Sequence, residues 1–164
     1  MITVGILSDT HLTSTTPEFQ RAVDRAFAGC STIIHAGDLT DASILTVFGE
    51  RPVHAVHGNT CNFATRQSLP QVKILTLDGY TIGINHGAGP CASIEERVWN
   101  LFPEADCIVF GHTHIPLCEK RGGILFINPG SFRCTGPFGS PASYAILTVG
   151  QNGLQANIRN LPLS

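Results

Sequence analysis

Five short segments combine metal-ligand side chains with glycine or with one another: Asp9-Thr10-His11, Gly37-Asp38, Gly58-Asn59, His86-Gly87 and Gly111-His112-Thr113-His114. Taken singly, each has an ordinary explanation. Asp9 and Asp38 suit turns, Asn59 after Gly58 suits one better still, and a lone histidine most often faces solvent or a satisfied partner. Taken together and in this order, they form a donor set with a chemical logic. Side chains at i and i+2 of an extended chain project to the same side. Asp9 with His11, and His112 with His114, are therefore each expected to present two ligands to one cavity. Two carboxylates, one amide and four imidazoles are too many for one tetrahedral ion and suit two ions that share a carboxylate. Nitrogen and oxygen donors without thiolate favour Mn, Fe, Zn, Ni or Co over Mg or Ca, with Mn the first expectation. Two divalent ions against two carboxylates leave about two positive charges, roughly one after a bridging hydroxide binds. Such a site should draw anions, phosphate oxygens first.

Each segment follows a stretch that reads as a strand. Residues 2–7, 32–36 and 53–56 are β-rich. Between them, Thr16 as N-cap and Pro17 open a helix that buries Phe19, Val23, Ala26 and Phe27 on one face. Asp41 is expected to cap a short helix burying Ile44, Leu45 and Phe48. Alternating strand and helix implies parallel pairing and right-handed crossovers. In the second half, residues 72–77 and 80–85 flank Asp78-Gly79, a hairpin signal. Ser93 with Glu96 reads as a capping box for a helix with Ile94, Val98, Leu101 and Phe102 on its apolar face. Residues 107–110 read as a strand, and 117–119, 124–128, 144–149 and 154–159 as shorter antiparallel strands. Ten strands and three helices predict two packed sheets with helices outside. The ligand segments would then lie at the carboxyl ends of strands, where open α/β sheets bind ligands. Residues 134–142, rich in Gly and Pro, read as a long surface loop.

Composition narrows the class. The chain has 164 residues, 43% hydrophobic and 13% charged, which is the reverse of a disordered segment and suits one domain over residues 1–164. A net charge of -2 without any basic run argues against nucleic acid or an anionic membrane as partner, and no apolar stretch reaches membrane-spanning length. A small molecule is the expected partner, and a homo-oligomer is left open. The start of the chain lacks a basic leader, so a cytoplasmic setting is expected. Six cysteines without a C-x-x-C spacing are accordingly expected as thiols.

The ordered motifs D-x-H, G-D, G-N, H-G and G-H-x-H resemble those of the calcineurin-like metallophosphoesterase superfamily. The opening from Gly5 to His11, the His35-Ala36-Gly37-Asp38 and His57-Gly58-Asn59 stretches, and Ile127-Asn128-Pro129-Gly130-Ser131 are similar to its small YfcE-like phosphodiesterase branch. The resemblance runs from Gly5 to about Ser131. It implies an α/β fold, a four-layer α/β/β/α sandwich of two mixed sheets, over a dinuclear metal centre. Carried over motif by motif, Asp9, His11 and His114 would hold one ion, Asn59, His86 and His112 the other, and Asp38 would bridge them. The implied activity is hydrolysis of phosphoric esters, diesters first, with a bridging water attacking phosphorus in line with the leaving oxygen. Asp38, Asn59 and His86 would then be catalytic as well as metal-binding. A phosphomonoesterase would use the same ligands. A protein-interaction scaffold is the remaining alternative, since one relative, a subunit of the retromer coat, has this fold with a degraded ligand set. Here every ligand is present.

One position departs from the family pattern. The family often places an acidic residue or histidine just after its G-N, near the leaving group, whereas Thr60-Cys61-Asn62 stand here. Acid assistance is therefore expected to be weak, with Asn62 supplying hydrogen bonds only. Arg133 is a candidate phosphate clamp because guanidinium matches phosphate oxygens bidentately, and Asn59 is a second candidate substrate contact. His57 abuts the ligand loop, His35 is expected to be structural, and His54 is expected on the surface of its strand.

Overall fold

Apolar side chains alternate along the first strand, and the alternation sends them into two different cores. In β1 (Ile2–Leu7), Val4 and Ile6 are buried in one cluster and Leu7 in another. A strand filled on both sides belongs to a sheet covered on both faces. The structure, a computed structural model, describes residues 1–133 and 141–162. All but the last two residues of the loop expected at 134–142 lie outside the described residues.

The first sheet adds β2 (Thr32–His35), β3 (Val53–Ala55), β9 (Ser143–Gly150) and β10 (Gly153–Asn160), in the order β10-β9-β1-β2-β3. Within it β1, β2 and β3 run parallel, while β9 is antiparallel to both β1 and β10. The second sheet contains β4 (Val72–Leu77), β5 (Tyr80–Asn85), β6 (Cys107–Val109), β7 (Leu117–Arg121) and β8 (Ile124–Asn128), in the order β4-β5-β6-β8-β7. Here β5, β6 and β8 are parallel, with antiparallel β4 and β7 at the edges.

Val4, Ile6 and Ile34 of the first sheet meet Ile82, Ile84, Val109 and Ile127 of the second in a central core. Helix α1 (Pro17–Ala26) packs Phe19 and Val23 with Ile33 and Phe132 on the outer face of the first sheet. Thr16 caps this helix, its Oγ1 accepting from the Phe19 N–H at 3.1 Å. On the other side, α3 (Ile94–Leu101) packs Ile94 and Val98 against Ile108 and Phe126. The expected α/β/β/α layering is thus observed. In each outer layer a glycine lets an aromatic ring lie on the strand backbone. A Cβ would fall 2.4 Å from Phe27 Cδ1 at Gly5, and 2.4 Å from Phe102 Cγ at Gly83.

Local expectations needed correction where the sequence signal was weak. The segment Ala42–Phe48 is a 3₁₀ helix, capped as expected by Asp41, whose Oδ1 accepts from Ser43 N–H at 2.8 Å. A short helix α2 (Phe63–Ser68) had no sequence signal, because only Thr65 is buried and no apolar stripe exists to read. The Ser93–Glu96 capping box does not form. Ser93 ends the 3₁₀ turn Cys91–Ser93 and makes no side-chain cap, and Leu101, expected on the apolar face, is 48% exposed. Strand β8 is parallel to β6, since the reversed strand is supplied by β7 before it. Strands β2, β3 and β6 each stop one residue early, where the chain turns into a ligand loop. Cys30, Cys61, Cys91, Cys107 and Cys118 are free thiols, while Cys134 lies outside the described residues. Among the described residues no helix is long and apolar enough to cross a membrane.

Candidate metal centre

Parallel pairing sends the ends of β1, β2 and β3 to one edge of the first sheet, and those of β5 and β6 to one edge of the second. The five ligand segments follow these five strands. Backbone hydrogen bonds keep the emerging loops in register. Asp9 N–H donates to Gly37 O at 2.9 Å and His11 N–H to Asp38 O at 3.0 Å, while in the other sheet Gly111 N–H donates to His86 O at 3.1 Å.

The i, i+2 pairs do not sit on extended chain. Asp9, His11, Asp38, His112 and His114 have φ of 56°, 49°, 54°, 71° and 58°, all in the left-handed region. Side-chain residues avoid that region at about 1–2 kcal/mol each. Tight left-handed turns aim these side chains, and they split the second pair between two clusters. Asp9, His11 and His114 form one, and Asp38, His86 and His112 the other, the donor atoms within each lying within 4.8 Å of one another. Every cluster draws on both sheets. The two adjoin, with His86 Nε2 3.9 Å from Asp9 Oδ1.

Burial grades the site from floor to rim. Asp9, Asp38 and His86 are buried, and His11, His112 and His114 are half-exposed. Burial alone would raise the Asp9 pKa. Hydrogen bonding to His11 and His114, the His86 charge and the Ser8 hydroxyl outweigh it and hold the carboxyl well below the usual range. Asp38 is likewise lowered against burial by His86 and the Thr60 N–H, the latter donating to Asp38 Oδ1 at 2.9 Å. Burial pushes His86 down, but Asp38 and Asp9 reverse the sign and raise it.

These side chains fit divalent ions. His86 donates through Nδ1 to Ala36 O at 2.8 Å, which leaves Nε2 to face Asp38 Oδ2 at 3.0 Å, buried and without a hydrogen bond. A nitrogen lone pair against a carboxylate oxygen calls for a proton or a cation between them. In the other cluster His11 Nε2 and His114 Nε2 stand 3.4 Å apart, and His114 Nε2 is 3.1 Å from Asp9 Oδ1. Donors about 2.0–2.1 Å from a tetrahedral ion are themselves about 3.4 Å apart. His112 commits Nε2 to Gly89 O at 2.8 Å, leaving Nδ1 as the donor with a lone pair.

Several supporting residues were not legible as such. Ser8 Oγ donates to Asp9 Oδ2 at 2.6 Å and the His112 N–H to the same oxygen at 3.2 Å. Ser131 Oγ donates to Asp9 O at 2.9 Å, and Asn128 Nδ2 to Gly111 O at 3.0 Å, so the late Ile127–Ser131 motif buttresses two ligand loops. His35 is structural as expected. It is fully buried, accepts from Gly37 N–H through Nδ1 and hydrogen-bonds Thr10 Oγ1 through Nε2, and burial lowers its pKa to about 3.

Other sequence candidates fall differently. His54 is half-buried, not a surface residue, with a buried Nδ1 that finds no partner. Cys61, at the position of the family's acidic residue, faces the core at 5% exposure, and its Sγ accepts from the Gly58 N–H. Asn62 is also committed elsewhere. Its Oδ1 caps α2 at the Thr65 N–H and its Nδ2 donates to Asp41 Oδ2. Thr60 is the residue at the rim, exposed, with Oγ1 3.3 Å from His11 Nδ1. Arg133 reaches the same rim and donates from Nη1 to His11 O at 2.8 Å. Asn59 is exposed and shares a cleft of about 420 Å³ with His57 and His86.

A family model for the calcineurin-like phosphoesterase superfamily domain matches residues 2–152. A probable metallophosphoesterase of Methanothermobacter thermautotrophicus is 33% identical over 131 residues, covering 78% of this chain and 76% of its own. The phosphodiesterase YfcE of Escherichia coli strain K12 is 50% identical over 42 residues, 26% of this chain and 22% of that protein. Among solved structures, Vps29 of Entamoeba histolytica complexed with Zn²⁺ superposes with a TM-score of 0.74 at 20% identity, covering 97% of this chain and 99% of that one.

Proposed function

The chain belongs to the calcineurin-like phosphoesterase superfamily, and from that premise we propose that it hydrolyses phosphoric esters, diesters in preference to monoesters. Residues 1–164 act as one domain in a cytoplasmic setting. The observation that carries the reading is the pair of adjoining clusters, each with one buried carboxylate and two histidines. Asp9, His11 and His114 would hold one divalent transition ion, and Asn59, His86 and His112 the other, with Asp38 shared. Such ions, Mn foremost and otherwise Fe, Ni, Zn or Co, would supply Lewis acidity, lowering the pKa of a bound water and polarising phosphoryl oxygens.

The chain's own residues supply the remainder. Ser8 and the His112 N–H fix one Asp9 oxygen, so the other faces His114. The Thr60 N–H does the same for Asp38 and turns its second oxygen to His86. Arg133, held at His11 O, and the exposed Asn59 would bind phosphate oxygens. With Cys61 turned into the core and only a hydroxyl at Thr60, neither residue would give the leaving oxygen a proton. Aryl esters should then exceed alkyl esters as substrates. Purified protein should hydrolyse bis(4-nitrophenyl) phosphate, lose that activity on prolonged chelation and regain it with Mn²⁺. Chelation should also lower the melting temperature, because ions that bind only the folded chain stabilise it. Full activity in metal-free protein would overturn the dinuclear reading. A fully metal-loaded protein inert to mono- and diesters would favour the scaffold.

A further inference from the structure

The cleft beside the second cluster has a charge pattern that the metal site does not require. It is lined by Arg66 and Arg97 together with His57, Gln71, Asn59 and His86, and among the described residues no carboxylate lines it. This stands out in a chain with twelve acidic residues against ten basic ones. Among the described residues neither arginine meets a carboxylate. Arg66 donates to Cys61 O and to Asn59 O, and Arg97 to the carbonyls of Gly87, Ala88 and Pro90. All of these acceptors are uncharged backbone oxygens, and Arg97 Nε is buried without any acceptor. Two guanidinium charges thus face one cleft of about 420 Å³ whose wall includes the candidate ligands His86 and Asn59. Both arginines are held in place. Arg66 is anchored on α2, and Arg97 on α3 by three carbonyls of the loop that follows His86.

On the hydrolytic reading given above, we infer that this cleft receives a second anionic group of the substrate, a phosphate carried on the ester arm that stays attached to the scissile phosphorus. The substrate class is a phosphodiester with a further terminal phosphate. Guanidinium forks match phosphate oxygens, and a charge-assisted hydrogen bond from a partly enclosed donor is stronger than a neutral one. Placement on the retained arm follows from the cleft's lining, which includes the candidate ligands His86 and Asn59 but not Thr60, His11 or Arg133, the residues of the rim assigned to the leaving group.

The test uses 4-nitrophenyl alkyl phosphates whose alkyl arm, two to four carbons long, ends in either a hydroxyl or a phosphate. Nitrophenolate release from the Mn²⁺-loaded protein gives kcat/KM for each pair. The phosphate-terminated member should lead by about tenfold or more at the best arm length, the size of one charge-assisted hydrogen bond, and the gain should appear in KM. Raising the salt should erode the ratio. Arg66→Gln should bring it toward one, and Arg66→Lys should restore part of it. Because Arg66 also holds the Asn59 carbonyl, both rates fall in Arg66→Gln, and the ratio separates charge recognition from damage to the site. A wild-type ratio near one at every arm length, or a ratio unchanged in both Arg66→Gln and Arg97→Lys, overturns the inference while leaving hydrolysis standing. If neither ester is hydrolysed, the hydrolytic reading fails instead. Calorimetric titration of inorganic pyrophosphate into wild type and Arg66→Gln then decides the cleft. Weaker binding in the variant supports it, and equal or absent binding refutes it.

Discussion

Gly58 is the position where one methyl group tests the whole site. A Cβ there would lie 2.0 Å from Asp38 Oδ1, 2.7 Å from Asp38 N and 2.7 Å from His86 Cδ2. None of the three can step aside cheaply. Asp38 Oδ1 is held by the Thr60 N–H at 2.9 Å, its backbone sits at a φ of 54°, and the His86 ring is buried and tied to Ala36 O. Gly58→Ala should therefore overpack the loop at about 1–3 kcal/mol. At about 2–4 °C per kcal/mol for a chain of this size, the melting temperature should drop by about 2–12 °C. Because the displaced atom is a candidate ligand, Mn²⁺ affinity should also fall, by at least about tenfold for a site left 1.4 kcal/mol weaker. Thermal melts in chelator read the first effect and calorimetric metal titration the second. Gly29→Ala is the control, since a Cβ there meets nothing within 4 Å and its φ is not in the left-handed region. If Gly58→Ala melts and binds metal like wild type, the packing of Gly58 against Asp38 and His86 described above is wrong.

Two further outcomes follow from neighbouring residues. Thr60→His would place a titratable imidazole at the rim, where only a hydroxyl stands now, and should speed alkyl esters more than nitrophenyl esters, by up to about 10²-fold in relative rate. Parallel changes in both would show that the rim does not face the leaving group. His35 titrates at about 3 in the fold against 6.5 ordinarily, so between those values only the unfolded chain takes up its proton. Metal-free protein should accordingly lose stability as pH falls from 6.5. His35→Asn should flatten the slope between pH 6.5 and 4.5, above the window where Asp9 and Asp38, both lowered, begin to matter. Denaturant titrations across that range check it, and an unchanged slope would remove His35 as the cause.

What the sequence disclosed was governed by whether the signal was local. β-rich composition located β1, the Asp78-Gly79 turn located the hairpin of β4 and β5, and α1 was located by apolar periodicity, which needs a stripe of buried residues to read. It could not show α2, which buries a single threonine, or distinguish an α-helix from the 3₁₀ helix at Ala42–Phe48, whose apolar residues suit either. Ligand types were legible from their order along the chain. Their aim was not, since Asp9 and His114 both sit in left-handed turns, and the one at Asp9 is tied across to Gly37 O, geometry that no i, i+2 rule contains. Cys61 makes the same point. Its neighbours in sequence suggest the opening of the site, yet the loop rotates its sulfur to the Gly58 amide and the core beneath.

Each candidate cluster takes donors from both sheets, so a bound ion would act as a removable cross-link between them. The links join Asp9 to His114 and Asp38 to His112, positions far apart along the chain and brought together only when the two sheets have docked over Val4, Ile6, Ile82 and Ile84. A link of that kind cannot form before the interface beneath it. It should therefore leave the folding rate nearly untouched and slow unfolding. By reciprocity, where a substitution in the inter-sheet core weakens ion binding, the bound ion raises the cost of that substitution by the same free energy. Chelator-dependent unfolding rates would thus report on the seam between the sheets, far from any catalytic atom.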